Sequence, residues 1–129
     1  MSEGKCLTDK VVVVTGAGIV TALGHGWRAN ASGFRSGRKA FRPVSIFDVS
    51  RQRVRTAAEV DLSAALPATR LTPRATSRME RAASMLLRAA HEAWTQSGWT
   101  PSDDLPVVLG TTSGGMSTRL RRVRVRRSG

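Results

Sequence analysis

The sequence lacks several features that would place it in common protein classes. It has one cysteine, Cys6, and no apolar run long enough to cross a membrane. A lone cysteine cannot form an intrachain disulfide, which favours a reducing, cytoplasmic setting. One cysteine and two distant histidines, His25 and His91, do not have metal-site spacing, and nothing points to a cofactor. We therefore expect a soluble, cytoplasmic protein without a metal or cofactor.

Acidic residues are also scarce, because 21 Lys and Arg stand against 9 Asp and Glu, for a net charge of +12. Such a balance raises the possibility of a nucleic-acid partner. Six of the arginines, however, lie in residues 117–129, and without them 15 basic residues face 9 acidic ones, or +6. The body of the chain is only moderately basic, and a nucleic-acid partner is disfavoured.

Short apolar runs predict an α/β chain. Val11–Val14 and Val107–Leu109 are apolar and rich in β-branched residues, as in strands buried on both faces. Residues 38–53 are predicted to form a loop, and residues 54–60 alternate as a strand does. With two helices between the valine runs, the order indicates layered α/β architecture.

Helical spacing marks two segments. In the first, Trp27, Ala31 and Phe34 predict one apolar face, with Gly37 as the stop. In the second, Ser77 and Glu80 have capping-box spacing, and a glycine at position 98 can end the helix. An apolar stripe predicted to face the core follows this second start: Met79, Ala83, Leu86, Leu87, Ala90 and Trp94.

The glycine turn after the first valine run invites comparison with nucleotide-binding motifs. The dinucleotide fingerprint G-x-G-x-x-G fits Gly16 and Gly18, but Thr21 occupies its third glycine position. The acidic ribose partner expected about twenty residues later is also absent. A nucleotide-binding oxidoreductase is therefore disfavoured, and Gly16, Gly18 and Gly24 are predicted to be structural glycines of a tight connection.

Four segments, taken in order, carry a resemblance to a known family. They are VVVTGAGIVTALG, SGRKAFRPVSIFDVS, RME followed by AASMLLRAAHEAW, and VVLGTTSGGM. Together they resemble the opening portion of the β-ketoacyl-acyl-carrier-protein synthases, from about Val11 to Met116. The resemblance implies a partial thiolase-like (αβαβα) layer. Residues 1–116 would be an incomplete, truncated N-terminal domain.

The resemblance also implies a function. These acyltransferases condense an acyl thioester with malonyl carried on acyl carrier protein, in fatty-acid or polyketide biosynthesis. An acyl carrier protein and a homodimer or ketosynthase partner are thus expected. In relatives the GTTSGG-like loop borders the acyl pocket, which assigns Thr112 and Ser113 to that pocket and Gly110, Gly114 and Gly115 to a structural turn.

No catalytic residue can be assigned. In the family the nucleophilic cysteine and two histidines come after the GTTSGG-like loop, beyond the end of this sequence. Cys6, His25 and His91 match none of these positions, so the chain as written is predicted to be inactive.

The sequence leaves the family pattern after Met116. We expect residues 117–129 to be an arginine-rich tail that is read out of frame or disordered, after a frameshift or truncation near that point. The alternative is a non-catalytic binding module that uses this basic tail for nucleic acid or anionic surfaces.

Overall fold

The computed structural model describes residues 11–100 and 105–111, which form a small mixed α/β arrangement. Its elements in chain order are β1 (Val20–Thr21), β2 (Gly24–His25), α1 (Gly26–Arg35), β3 (Arg42–Pro43), β4 (Thr56–Ala57), α2 (Pro73–Ser77) and α3 (Arg81–Ser97). No helix in the described ranges is both long and apolar enough to cross a membrane.

Two short antiparallel hairpins supply all strand pairing in the described ranges. In the first, Val20 pairs with His25 and Thr21 with Gly24, so a two-residue turn joins β1 to β2. In the second, β3 and β4 pair at the two ends of a long loop. The predicted loop over residues 38–53 is interrupted by β3, so residues 44–53 lie inside the second hairpin and residues 38–41 precede it.

The valine runs do not form the predicted strands. Val11–Val14 are 68–93% exposed, Val107–Leu109 are 66–95% exposed, and neither run is paired with another described segment. A strand buried on both faces needs neighbouring strands and covering helices. Among the described residues, no strand lies beside either run.

The first helix forms as predicted but buries a different face. Trp27 and Phe34 are 61% and 63% exposed, whereas Asn30 and Gly33 are buried. Gly33 lets the side chain of Leu23 pack against the helix, because a Cβ there would lie 3.1–3.2 Å from that side chain. The predicted apolar face is therefore wrong, since contact with the hairpin decides the orientation.

Both predicted glycine stops are confirmed, and the predicted capping box is wrong. Gly37 and Gly98 take left-handed backbone angles, with φ of 63° and 65°. Ser77 ends α2 and its hydroxyl donates to the Arg74 carbonyl at 3.0 Å. Glu80 is itself the N-cap residue of α3, without a side-chain capping bond.

A second helix start explains that error. Thr72 is the N-cap of α2, where its hydroxyl accepts the Ala75 amide at 3.2 Å, and Pro73 occupies the first turn. Proline is favoured in a first helical turn because its missing amide hydrogen would be unpaired there. The chain therefore starts a short helix before α3. Ser77 belongs to that helix and does not cap α3.

The long helix also packs through a different stripe from the predicted one. Ala83, Leu86 and Ala90 are exposed. The glycine segment lies instead against Ala89 and Ala93. The predicted core stripe is therefore wrong for these positions.

Burial within the described ranges is polar. No hydrophobic side chain there is buried, while Asn30 is 0% and Glu59 is 6% exposed. The Glu59 carboxylate accepts the Ser45 amide at 2.8 Å, the Ser45 hydroxyl at 2.7 Å and the Ile46 amide at 3.3 Å. Arg42 lies 3.9 Å from it and donates to the Glu59 carbonyl at 3.0 Å. These contacts tie β3 to the chain that follows β4.

The Glu59 contacts predict acid sensitivity. The Ser45 hydroxyl, then the Ser45 and Ile46 amides and the Arg42 charge, hold the pKa of Glu59 below its ordinary 4.5, against the opposing effect of burial. A lowered folded-state pKa means that the stabilisation is present above pH 4.5 and is lost as the pH falls through the lowered pKa. We expect the protection of the Ser45 amide from hydrogen exchange to fall over that window.

The control for this prediction is Glu59→Gln, which cannot ionise. In this variant one acceptor oxygen remains, so the protection of the Ser45 amide, corrected for intrinsic exchange, should be lower than in the wild type at neutral pH and flat across the same window. A wild-type profile equally flat would contradict the role given to the carboxylate.

Candidate functional site: the glycine segment on the long helix

The glycine segment lies directly against the backbone of α3. A Cβ built on Gly16 would lie less than 3.0 Å from the carbonyl oxygen of Ala93, and one built on Gly18 equally close to that of Ala89. Real Cβ atoms essentially never come so near to a backbone atom. Only glycine therefore permits this contact, in which the backbone of the segment lies against the backbone of the helix.

Polar side chains of α3 fix the segment in place. The Gln96 side-chain oxygen accepts the Ala17 amide at 2.7 Å, and Glu92 Oε2 accepts the Ile19 amide at 2.9 Å. The other oxygen of Glu92 accepts the Trp27 amide at 2.6 Å. One carboxylate thus joins the glycine segment, α1 and α3.

The Glu92 contact also completes the start of α1. His25 is the N-cap residue and supplies no side-chain capping bond, so the first amides of α1 need another acceptor. Trp27, the second residue of α1, finds that acceptor on Glu92. A negative charge at a helix N-terminus is favourable, because the amides there carry partial positive charge.

Asn30 holds the β1–β2 hairpin onto α1 from the inside. Its side-chain amide donates to the Gly24 carbonyl at 3.0 Å and to the Gly26 carbonyl at 2.8 Å, while its oxygen accepts the Thr21 hydroxyl. The Thr21 hydroxyl in turn accepts the Leu23 amide at 3.0 Å. This fully buried side chain therefore has both its donors and its acceptor satisfied.

An open groove of about 890 Å³ lies between the hairpin, the start of α1, residues 64–67 and α3, and it brings His25, Arg88 and His91 to one surface. His25 Nε2 lies 2.5 Å from the Asp61 carbonyl oxygen, and Arg88 Nη1 donates to the Ala65 carbonyl at 3.1 Å. Two of the three side chains thus bind neighbouring backbone. No cluster of three potential metal-binding side chains occurs in the described part of the chain.

The sequence-predicted site residues fall into two groups. Gly16, Gly18 and Gly24 belong to the packed region just described, and Gly110 is described with open space around it. The remainder lie outside the described residues: Thr112, Ser113, Gly114, Gly115 and Cys6.

The backbone amides of the glycine turn, residues 16–19, bear on whether a nucleotide phosphate could bind there. A phosphate bound at such a turn uses free backbone amides. Here the Ala17 and Ile19 amides already donate to Gln96 and Glu92, and the Glu92 carboxylate would repel a phosphate. The described geometry therefore matches a packing role for the segment.

Comparison with known proteins gives the lineage. A family model described as the β-ketoacyl synthase N-terminal domain matches residues 9–127. The chain belongs to the β-ketoacyl synthase family. It is 37% identical over 103 residues to the actinorhodin polyketide β-ketoacyl synthase 1 of Streptomyces coelicolor, covering 80% of this chain and 22% of that protein.

Two further relatives of this ketosynthase chain are also named as polyketide ketoacyl synthases. The tetracenomycin ketoacyl synthase alpha subunit of Streptomyces glaucescens is 34% identical over 106 residues, which are 82% of this chain and 24% of that protein. The oxytetracycline β-ketoacyl synthase 1 of Streptomyces rimosus is 36% identical over 114 residues, or 86% of this chain and 26% of the relative. No solved structure matches. The chain spans about a quarter of the length of these relatives.

The close packing at Gly18 predicts that one added methyl group strongly destabilises the contact between the glycine segment and α3 in this ketosynthase chain. Gly18→Ala places a Cβ against the Ala89 carbonyl, and overpacking against backbone costs about 1–3 kcal/mol or more. We expect the Ile19 amide to exchange hydrogen at least about fivefold faster, since 1.4 kcal/mol is a factor of ten. Gly110→Ala is the matched control, because no atom lies within 4 Å of its Cβ position. Equal behaviour of the two variants would contradict the packing role.

The Glu92 contacts predict a graded series. Glu92→Ala leaves the Ile19 and Trp27 amides without their acceptor, and losing bonds to a charged group costs about 1.5–3 kcal/mol. Glu92→Gln keeps one acceptor oxygen and should lie between wild type and Glu92→Ala in the protection of both amides, measured by hydrogen exchange. Gln96→Ala is the internal control, because it should expose the Ala17 amide and leave Trp27 protected. Loss of Trp27 protection in that control would show general loosening instead.

Proposed function

We propose that this chain is part of a polyketide ketosynthase in which it supplies scaffold and one border of the acyl pocket. The observation that supports this most is the family match over residues 9–127, together with relatives at 34–37% identity that are named for polyketide assembly. Polyketide assembly is therefore preferred to fatty-acid synthesis.

The reaction of the intact enzyme would proceed in two stages. A cysteine thiolate attacks the acyl thioester of the carrier and takes the acyl group, which releases the carrier thiol. Malonyl on acyl carrier protein then loses its carboxylate as CO2, and the resulting enolate attacks the acyl thioester, which releases the thiolate. Such a thiolate needs a lowered pKa, and the enolate needs hydrogen-bond donors around it.

The residues described here include none that fits the nucleophile. No cysteine lies within residues 11–100 or 105–111. Of the two histidines, His25 contacts the Asp61 carbonyl and His91 lines the groove. We therefore propose that the 129-residue chain does not catalyse condensation, and that Thr112 and Ser113 border the acyl pocket.

The remaining features follow from the same proposal. The chain would adopt the first part of a thiolase-like layered fold, act in the cytoplasm, and meet an acyl carrier protein and a homodimer or ketosynthase partner. Residues 1–116 would form the incomplete domain and residues 117–129 an out-of-frame tail. The family match itself extends to residue 127 and so overlaps that tail.

The binding-module alternative has weaker support. It depends on the arginines of residues 117–129, and the body without them carries +6 from 15 basic and 9 acidic residues. No described feature of the structure favours nucleic acid.

An activity assay tests the proposal. The purified chain, given an acyl-carrier thioester and malonyl-carrier protein labelled in its free carboxyl, should release no CO2 above a protein-free control and form no condensed product. The S. glaucescens alpha subunit, assayed in parallel with its own partners, checks the reagents. Turnover that disappears in Cys6→Ser would show that this chain has its own nucleophile and that the proposal is wrong.

Sequencing the gene tests the lineage separately. Another reading frame after codon 116 should continue with a cysteine between a strand and a helix and with two later histidines. If no frame continues in this way, the proposed origin of the tail fails.

A further inference from the structure

The segment of residues 59–65, whose last two residues line the open groove, is held by arginine side chains. It has neither helix nor strand, so its carbonyls need other donors. Arg42, Arg81 and Arg88 donate to five of these carbonyls. The acceptors are the carbonyl oxygens of Glu59, Val60, Leu62, Ala64 and Ala65. A carbonyl oxygen is neutral, so these bonds position Arg88 at the groove without cancelling its charge.

The side chains that line the groove carry an excess of positive charge. Arg28 and Arg88 are its arginines, and Glu92 is the one carboxylate among its lining residues. Both oxygens of Glu92 already accept backbone amides, from Ile19 and Trp27. Arg28 is exposed and makes no hydrogen bond or ion pair with another described residue. An anion in the groove would therefore meet a guanidinium group that has no competing partner in the described structure.

An apolar surface lies beside these charges. Val20, Trp27, Ala64, Ala65 and Pro67 line the same groove, and Trp27 is 61% exposed. Sites for small ligands typically combine an apolar lining with a few polar groups, in a cavity of about 300–1,000 Å³. The groove volume of about 890 Å³ falls within this range. Because an indole ring packs well against another flat ring, the lining favours a ligand that joins an aromatic body to an anionic group.

We propose that this groove binds a small aromatic carboxylate, with the carboxylate facing Arg28 and Arg88 and the ring against Trp27. Planar guanidinium groups pair with carboxylates through two parallel hydrogen bonds. Arg88 Nη1 has two N–H groups and donates one of them, to the Ala65 carbonyl at 3.1 Å, so one remains for a ligand. The site does not depend on the proposed ketosynthase function, because described residues alone form it.

A nuclear magnetic resonance titration of the full 129-residue chain with benzoate tests the site. The chain has three tryptophans, and the indole N–H signal of Trp27 is assigned by its loss in Trp27→Phe. We expect this signal to shift and to saturate as benzoate is added. Acetate has the carboxylate without the ring, and benzyl alcohol has the ring without the charge. Each should bind at least about tenfold more weakly than benzoate.

A pair of arginine variants on α1 separates the groove from general charge. Arg28→Ala should weaken benzoate binding about threefold or more, a modest effect because Arg28 is partly in water. Arg35→Ala is the matched control, since it removes the same charge from the same helix and Arg35 does not line this groove. It should bind like wild type. Arg28 is used because replacing Arg88 would also leave the Ala65 carbonyl without its donor.

Four outcomes would overturn the proposal. The first is a Trp27 signal that does not saturate with benzoate. Acetate that binds as tightly as benzoate would indicate an adventitious ion only, and benzyl alcohol that does so would indicate apolar contact alone. Equal weakening by Arg28→Ala and Arg35→Ala would mean that benzoate responds only to the net charge of +12. Circular dichroism of both variants should match wild type, because both side chains are exposed.

Discussion

The contact that the described structure depends on is the approach of two glycines to the backbone of α3. Gly16 and Gly18 leave no room for a side chain between the segment and the helix. That approach brings the Ala17 and Ile19 amides within reach of Gln96 and Glu92. A methyl group at either glycine would separate these donors from their acceptors, so the absence of a Cβ determines which polar contacts can form.

From this contact the rest of the packing follows through polar groups. Glu92 extends the connection from the glycine segment to the first turn of α1, and Asn30 ties α1 back to the hairpin. Glu59 plays a comparable part in the second hairpin. Since no hydrophobic side chain within the described ranges is buried, these directional bonds define the arrangement. Directional bonds set geometry well but contribute only modest net stability, because water competes for the same groups.

Sequence patterns predicted the two longer helices and their C-terminal ends better than the contacts that these helices make. Gly37 and Gly98 could be identified because a left-handed residue after a helix is a local requirement. The buried face of α1 could not, because Asn30 has no hydrophobic signal and its burial depends on carbonyls of the preceding hairpin. The contacts of Glu92 could not be predicted either, since a glutamate in a helix usually faces solvent. Periodicity reports burial that is hydrophobic, and here the burial is polar.

The valine segments show the other limit of sequence patterns. Their composition describes an environment with strands on both sides, whereas the described residues provide hairpins of two-residue strands. At Val11–Val14 and Val107–Leu109 the environment therefore differs from the one that the residue types favour. At Gly16 and Gly18, which pack on α3, the residue types and the environment agree. Because the aligned segment is only 22–24% of these polyketide relatives, this division is physically reasonable. Contacts between a turn and a helix about 75 residues apart form among the described residues. A strand buried on both faces requires neighbouring strands and covering helices as well.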